Sequence, residues 1–144
     1  MSSTPEAVAR DWFEQVWNDG SEAAIDKFLA VDAKMHGLPS SDGSPLVGPS
    51  AFKPFWRKFR SAFPDVRIEV ARTVAEGDYV AVHCHVTGKH LGHDLGIAAT
   101  QRPIDFWGMG IARIRGGQVV EAWNCFDFMS LYQQIGLLPA VAVV

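Results

Sequence analysis

The chain is organised around the stretch from Arg115 to Gly136, which reads RGGQVVEAWNCFDFMSLYQQIG. Gly116-Gly117 predicts a two-residue hairpin turn, because glycine tolerates positive φ at both central positions. A strand should follow the turn, and strand side chains alternate between the two faces of a sheet. Four side chains should therefore share one face: Glu121, Trp123, Cys125 and Asp127.

A short helix should close this stretch, since Ser130 and Gln133 have the spacing of a capping box and Gly136 is a helix stop. Asp127 then lies at the end of a strand among aromatic residues, where a carboxylate can act as a base. The alternative is that Asp127 caps the C-terminal helix. Because Ser130 already offers a cap, the functional interpretation is favoured.

The bulk composition is typical of one folded domain spanning residues 1–144. Hydrophobic residues make up 48% of the 144 and charged residues 20%. A net charge of −3 gives no basic surface for nucleic acid. No apolar run is long enough to cross a membrane, and the first residues lack the basic and apolar regions of a signal peptide. We therefore expect a cytoplasmic protein with Cys84 and Cys125 as free thiols.

Periodicity predicts helices first and strands afterwards. One helix should start at Thr4-Pro5, a second at Ser21 and a third after Gly48, with a short strand at 33–37 before the third. The third helix carries an apolar stripe at spacings of three and four: Phe52, Phe55, Trp56, Phe59, Ala62 and Phe63.

Alternating apolar residues then predict four strands, at 66–72, 79–87, 102–114 and after Gly117. Helices gathered on one face of such a sheet give an α+β fold. We expect a cone-shaped barrel, in which a strongly curved, mixed, mostly antiparallel sheet wraps around the N-terminal helices. Its hollow would be a site for a small ligand.

The ordered motifs resemble the SnoaL-like polyketide cyclases of the nuclear transport factor two-like superfamily. Residues 62–65 read AFPD, residues 75–78 read AEGD, and residues 88–92 read GKHLG, with Lys89 in place of the usual threonine. Residues 117–123, together with Asp127, Gln134 and Gly136, are similar to the last motif of the family. His83 and Cys84 depart from the arginine and tryptophan of many relatives.

The resemblance implies a homodimer formed through the sheet and a catalyst that uses neither metal nor cofactor. It matches the family's cavity aspartate to Asp127, which would be the general base in an intramolecular aldol ring closure. His83, His85 and the apolar tail from Leu137 are candidates for the dimer contact.

Several further residues are candidates for the site. His36, at a strand end, could donate a hydrogen bond to a carbonyl or enolate and so assist Asp127 in catalysis. The candidates for substrate binding are Trp123, Trp107, His90, Phe59 and Trp17. Each has a plainer alternative: the aromatic residues as packing, His36 as an exposed strand end and His90 as a structural residue in a turn.

The five histidines could imitate a zinc site, but no helical pair or accompanying carboxylate supports one, and we expect no metal.

Two functions remain open. The chain is either a cofactor-free cyclase or isomerase acting on a hydrophobic, carbonyl-containing molecule, or a protein of the same fold that binds such a ligand without turnover. A hydrolase variant of the fold is a further alternative. A buried Asp127 with a convergent donor would favour the enzyme, and an outward-facing, capping Asp127 the binding protein.

Overall fold

The computed structural model describes residues 4–139, and its helices lie at both ends of the chain and before the long strands. They are α1 (Pro5–Asp11), a π-helical segment (Trp12–Asn18), α2 (Glu22–Phe28), α3 (Gly48–Ala62) and α4 (Phe128–Gln134). The tail beyond Pro139, part of the expected dimer contact, lies outside the described residues.

Six strands form one mixed sheet in the order β2-β1-β6-β5-β4-β3. The strands are β1 (Leu29–His36), β2 (Leu46–Val47), β3 (Arg67–Glu76), β4 (Tyr79–Lys89), β5 (Pro103–Arg115) and β6 (Gln118–Phe126). Within residues 4–139, β1 and β6 pair in parallel and the other neighbouring strands are antiparallel. The α+β class and the mostly antiparallel sheet are confirmed, but β2 and β3 are unjoined edges, so the cone is open rather than a closed barrel.

The first predicted helix is divided into two kinds of helix. Thr4 caps α1 by accepting the Ala7 N–H at 3.1 Å, as its sequence position suggested. From Trp12 onward the backbone widens into a π-helix, and the Asp19 N–H bonds to the Glu14 carbonyl at 2.8 Å. π-Helical turns are rare and frequently occur at functional sites.

The helical stripe of α3 packs on the face of the sheet that we call the inner face. Phe52, Phe59 and Phe63 are buried there, and the Phe59 ring lies 4.9 Å from that of Phe63 between centroids. The Trp56 indole N–H donates to the Val16 carbonyl at 2.9 Å, tying α3 to the π-helical segment. The core predicted from the stripe is therefore confirmed.

The Gly116-Gly117 hairpin is also present, with φ of 58° and 77° at the two glycines. It joins β5 to β6 in antiparallel register, so that Arg113 faces Glu121. Residues of β6 alternate as predicted, and the burial pattern shows which set turns inward. Ala122, Asn124 and Phe126 face the helices, while Trp123, Cys125 and Asp127 are exposed on the opposite, outer face.

None of the helices within residues 4–139 combines the length and the apolar character needed to cross a membrane.

Candidate functional site

An internal cavity of about 50 Å³ lies between the inner face of the sheet and the helices. Its wall is almost wholly apolar and largely aromatic. The lining residues are Trp12, Phe13, Trp17, Met35, Leu38, Phe52, Phe55, Phe59, Ile68, Val86, Phe106, Asn124, Phe126 and Phe128. Trp17 and Phe59 thus lie where a substrate-binding role would require them.

The π-helical segment supplies Trp12, Phe13 and Trp17 to this wall. Its C-terminal end is fixed by Asn18, whose side-chain amide bonds Ile68 of β3 twice. The Asn18 Nδ2 donates to the Ile68 carbonyl at 2.9 Å, and its Oδ1 accepts the Ile68 N–H at 2.7 Å. The amide therefore continues the hydrogen bonding of the edge strand and holds the aromatic wall against it.

Apart from the indole N–H groups of Trp12 and Trp17, Asn124 carries the polar atoms among the side chains that line the cavity. Its Nδ2 donates to the carbonyl of His36 at 2.9 Å, which fixes the orientation of the amide. The Oδ1 makes no hydrogen bond within residues 4–139, and Nδ2 carries a second hydrogen. A ligand in the cavity could therefore both donate to and accept from Asn124.

Gly108 makes room for one of the aromatic walls. A Cβ at this position would overlap the ring of Phe126. The Phe126 ring consequently lies against the backbone of β5, and no side chain larger than hydrogen fits at 108 without displacing it.

A second compartment of about 110 Å³, which we call the vestibule, adjoins the cavity. Three residues line both spaces and form a partition between them: Phe55, Phe59 and Phe128. The other vestibule residues are Pro39, Lys58, Leu95, Leu131 and Tyr132. The vestibule thus lies between the surface near α4 and the cavity wall that carries Asn124, and these three rings separate the two spaces.

Asp127 does not face this cavity, and the expectation that it does is wrong. Its exposed carboxylate accepts the Ser130 N–H at 3.0 Å, so Asp127 is the N-cap of α4. The helix begins at Phe128 rather than near Ser130, and the proposed capping box does not form. A role for Asp127 as a base stays a prediction.

His36 and Trp123 also lie on the outer face. The His36 Nε2 is 2.6 Å from a carboxylate oxygen of Glu121, and its ring stacks on Trp123 at 5.6 Å between centroids. The parallel pairing of β1 with β6, in which His36 stands opposite Trp123, brings the His36 ring beside Glu121. The two candidates therefore meet each other on the outer face, away from the cavity.

Trp107 belongs to a further cluster on the outer face. Its ring stacks on His85 at 4.5 Å and lies 4.6 Å from the His83 ring. His85 in turn bonds Asp105 at 2.6 Å. With Asp127, Trp107 lines an open groove of about 370 Å³, so the outer face brings together these two predicted residues.

His90 is fully buried and lines none of the spaces described above. Its Nδ1 accepts the Thr100 N–H at 3.1 Å, so the ring is neutral with its hydrogen on Nε2. Burial lowers the pKa of His90 below its ordinary 6.5, and nearby His93 adds to this effect. The contacts of His90 fix the loop between β4 and β5.

Burial also shifts the pKa of two side chains that are not histidines. It raises the pKa of the Cys84 thiol to about 12 and raises the pKa of the Tyr132 hydroxyl. Among the described residues, no three side chains of His, Cys, Asp or Glu converge in a way that could hold a metal ion.

A family model and a related protein both connect this chain with cyclases. The family model for SnoaL-like polyketide cyclase matches residues 7–135. The candidate cyclase otaY of Aspergillus niger is 32% identical over 118 residues, which cover 78% of this chain and 92% of that protein.

Two solved structures from Streptomyces are similar in fold. IdmH of Streptomyces antibioticus, a candidate polyketide cyclase, has a TM-score of 0.81 and 25% identity, covering 93% of this chain and 99% of its own. AclR of Streptomyces galilaeus, a candidate hydroxylase, has a TM-score of 0.80 and 26% identity, covering 96% and 84%. From the extent of the family match and the relation to otaY, this chain belongs to the SnoaL-like polyketide cyclase family.

Proposed function

We propose that this protein is a cyclase- or isomerase-type catalyst that acts on a hydrophobic, carbonyl-containing small molecule bound in the internal cavity. The observation that carries the proposal is an aromatic cavity with one amide side chain, Asn124, in a member of a cyclase family. Apolar pockets with a few placed polar groups are the usual form of small-molecule sites. A polyketide-like substrate is consistent with the cyclase family and with the apolar, aromatic lining of the cavity.

The proposed reaction is a proton transfer followed by ring closure, without metal or cofactor. A base removes a proton next to one carbonyl, the resulting enolate carbon forms a bond to a second carbonyl carbon, and that carbonyl oxygen takes up a proton. A hydrogen-bond donor near the enolate oxygen would stabilise the charge that develops there. The free hydrogen on Asn124 Nδ2 is one donor at the cavity wall, which also contains the indoles of Trp12 and Trp17.

Asp127 is the proposed base, and its place in the chain between two residues of the cavity wall supports this role. It stands between Phe126 and Phe128, whose rings both line the cavity. To reach a substrate, its carboxylate would have to leave the Ser130 N–H and turn inward. Loss of an N-cap costs about 1 kcal/mol, which substrate binding can supply.

The substitution Asp127→Asn tests this role, because asparagine caps a helix as well as aspartate but is not a base. We expect a normally folded protein whose rate falls by roughly 2–4 orders of magnitude. Asp105→Asn is the matched control, since Asp105 is another exposed carboxylate on the outer face, bonded to His85. A fully active Asp127→Asn protein would end the general-base proposal.

Binding without turnover is the second candidate, and the orientation of Asp127 favours it. The carboxylate is exposed and already bonded, and no carboxylate lines the internal cavity among the described residues. On this account Asn124 orients a ligand that is released unchanged. Tight binding of polyketide-like compounds with no conversion by the wild-type protein would select this alternative.

We also propose that the protein is a homodimer formed through the outer face. Large apolar side chains are exposed there on adjacent strands: Tyr79, Trp107, Met109, Ile111 and Trp123. A contiguous exposed apolar surface of this kind marks an interaction site. His83 and His85 lie within it, as the dimer expectation requires.

A further inference from the structure

The vestibule carries two polar groups on an otherwise apolar wall. Lys58 comes from α3 and Tyr132 from α4, and between them lie the rings that separate the vestibule from the cavity. The Tyr132 ring stacks on Phe128 at 6.3 Å between centroids, which places Tyr132 directly beside the partition.

Lys58 differs from its charged neighbours on the same helix. Lys53 pairs with Asp26 at 2.8 Å and Arg57 pairs with Glu22 at 2.8 Å. Lys58 has no acidic partner within 4.0 Å among residues 4–139. Its ammonium group is thus available at the vestibule, while its aliphatic stem covers part of the apolar wall.

The Tyr132 hydroxyl makes no hydrogen bond in the same part of the chain. Because burial raises its pKa, the hydroxyl stays protonated at neutral pH and can donate. An ammonium group has only donors to offer, and a phenol has one. Both groups can therefore donate to an acceptor that enters the vestibule.

We infer that the ligand is a hydrophobic carboxylic acid, with its carboxylate held in the vestibule by Lys58 and Tyr132 and its apolar body directed through the partition toward Asn124. The inference rests on the proposed function, whose substrate class it narrows. A carboxylate carries one charge, which matches the one cationic side chain that lines the vestibule. The carbonyl to be activated would lie at the far end of the molecule, near Asn124.

The dimensions require the partition to move when such a ligand binds. The cavity has about 50 Å³ and the vestibule about 110 Å³. An apolar cavity of about 150 Å³ is known to hold one benzene ring, so a larger aromatic acid needs both spaces and also the room that displaced partition rings would leave. Rotation of Phe55, Phe59 or Phe128 would join the two spaces into one.

The test compares two probes of nearly equal shape, 1-naphthaleneacetate and the neutral 1-naphthaleneacetamide, by isothermal titration calorimetry. We expect the wild-type protein to bind the acid about tenfold more tightly, as a charge-assisted hydrogen bond would give. Lys58→Met should abolish this preference while binding the amide as before, and Tyr132→Phe should reduce it. Lys53→Met, which removes the same charge from the same helix outside the vestibule, should preserve it.

The possible failures are distinct. Equal binding of both probes to the wild-type protein would overturn the carboxylate inference and leave the proposed cavity function standing. A preference for the acid that survives in Lys58→Met would also overturn it, because a group other than Lys58 would then bind the carboxylate. If neither probe binds, both the inference and the proposed small-molecule site are contradicted.

Discussion

At the scale of single residues, Asp127 has one role that is visible and one that is proposed. Its carboxylate caps α4 through the Ser130 N–H, and it stands between two residues of the cavity wall. A residue that holds a helix end and also moves a proton must exchange one contact for the other. The stability and the activity of variants at this position can therefore be measured separately.

The cap predicts a specific order of stabilities. Asp127→Ala should lower the free energy of unfolding by about 1 kcal/mol, because the Ser130 N–H loses its acceptor. Asp127→Asn should be close to wild type in the same urea titration, followed by circular dichroism. If Asn were as damaging as Ala, the negative charge rather than the cap would be what stabilises this helix end.

Alternation along β6 correctly grouped Trp123 and Asp127 on one face, but it could not say that this face is the outer one. Both faces of the strand carry aromatic residues, so hydrophobicity alone gives no direction. The set that turns inward includes Asn124, the polar group of the cavity. The direction of the side chains on α3 was easier to predict, because its apolar residues form one stripe and that stripe has to face the sheet. The buried position of Phe59 follows from its place in the stripe.

At the scale of elements, α3 joins the core, the cavity and the vestibule. Phe59 is only 7% exposed and belongs to both the cavity wall and the partition. Phe59→Ala should lower the free energy of unfolding by about 3–5 kcal/mol in a denaturant titration. Ser61→Ala, at an exposed position on the same helix, is the control and should change it by less than about 0.5 kcal/mol. A loss for Phe59→Ala as small as that of the control would show that the stripe does not form the core.

The loop between β4 and β5 should make stability depend on pH through His90. Burial holds the pKa of His90 below 6.5, so its contribution to stability is fully present above pH 6.5 and is lost as the pH falls below that value. Thermal unfolding of the wild-type protein should therefore show a greater loss from about pH 7.5 to about pH 5 than that of His90→Gln. His93→Gln, with its exposed side chain in the same loop, should reduce this extra loss only in part, because burial is the larger cause of the lowered pKa of His90 and His93 the smaller one. Parallel losses in wild type and His90→Gln would contradict the assignment.

Local sequence patterns predicted most of the helices and strands, but not every pairing between strands. The hairpin, the long strands and α3 follow from glycine chemistry and periodicity. The strand β1 starts at Leu29 instead of Ala33 and pairs in parallel with β6, a long-range contact that no local pattern encodes. The π-helical segment was likewise missed, because Trp12, Phe13 and Trp17 fit an ordinary helical stripe equally well.

At the scale of the whole molecule, the sheet has one face covered by helices and one face with exposed apolar side chains. The proposed dimer would cover the second face. Light scattering should report twice the 15.8 kDa mass of the chain. Met109→Glu should shift the mass toward one chain, because Met109 is 60% exposed in the middle of that face.

The matched control for the dimer is Val31→Glu, an equally drastic change at a position that is 86% exposed on β1. This variant should retain the mass of the wild-type protein. A wild-type protein that stays monomeric across a dilution series would contradict the dimer, as would a Met109→Glu protein with unchanged mass.

The central claim is that the ligand site is the internal cavity and not the aromatic outer face. A crystal structure with bound 1-naphthaleneacetate tests it most directly. We predict electron density for the naphthyl ring in contact with Trp17, Phe59 and Asn124, with the partition rings displaced to admit it. Density confined to the outer face beside Trp107 and Trp123, with the cavity unchanged, would contradict the account.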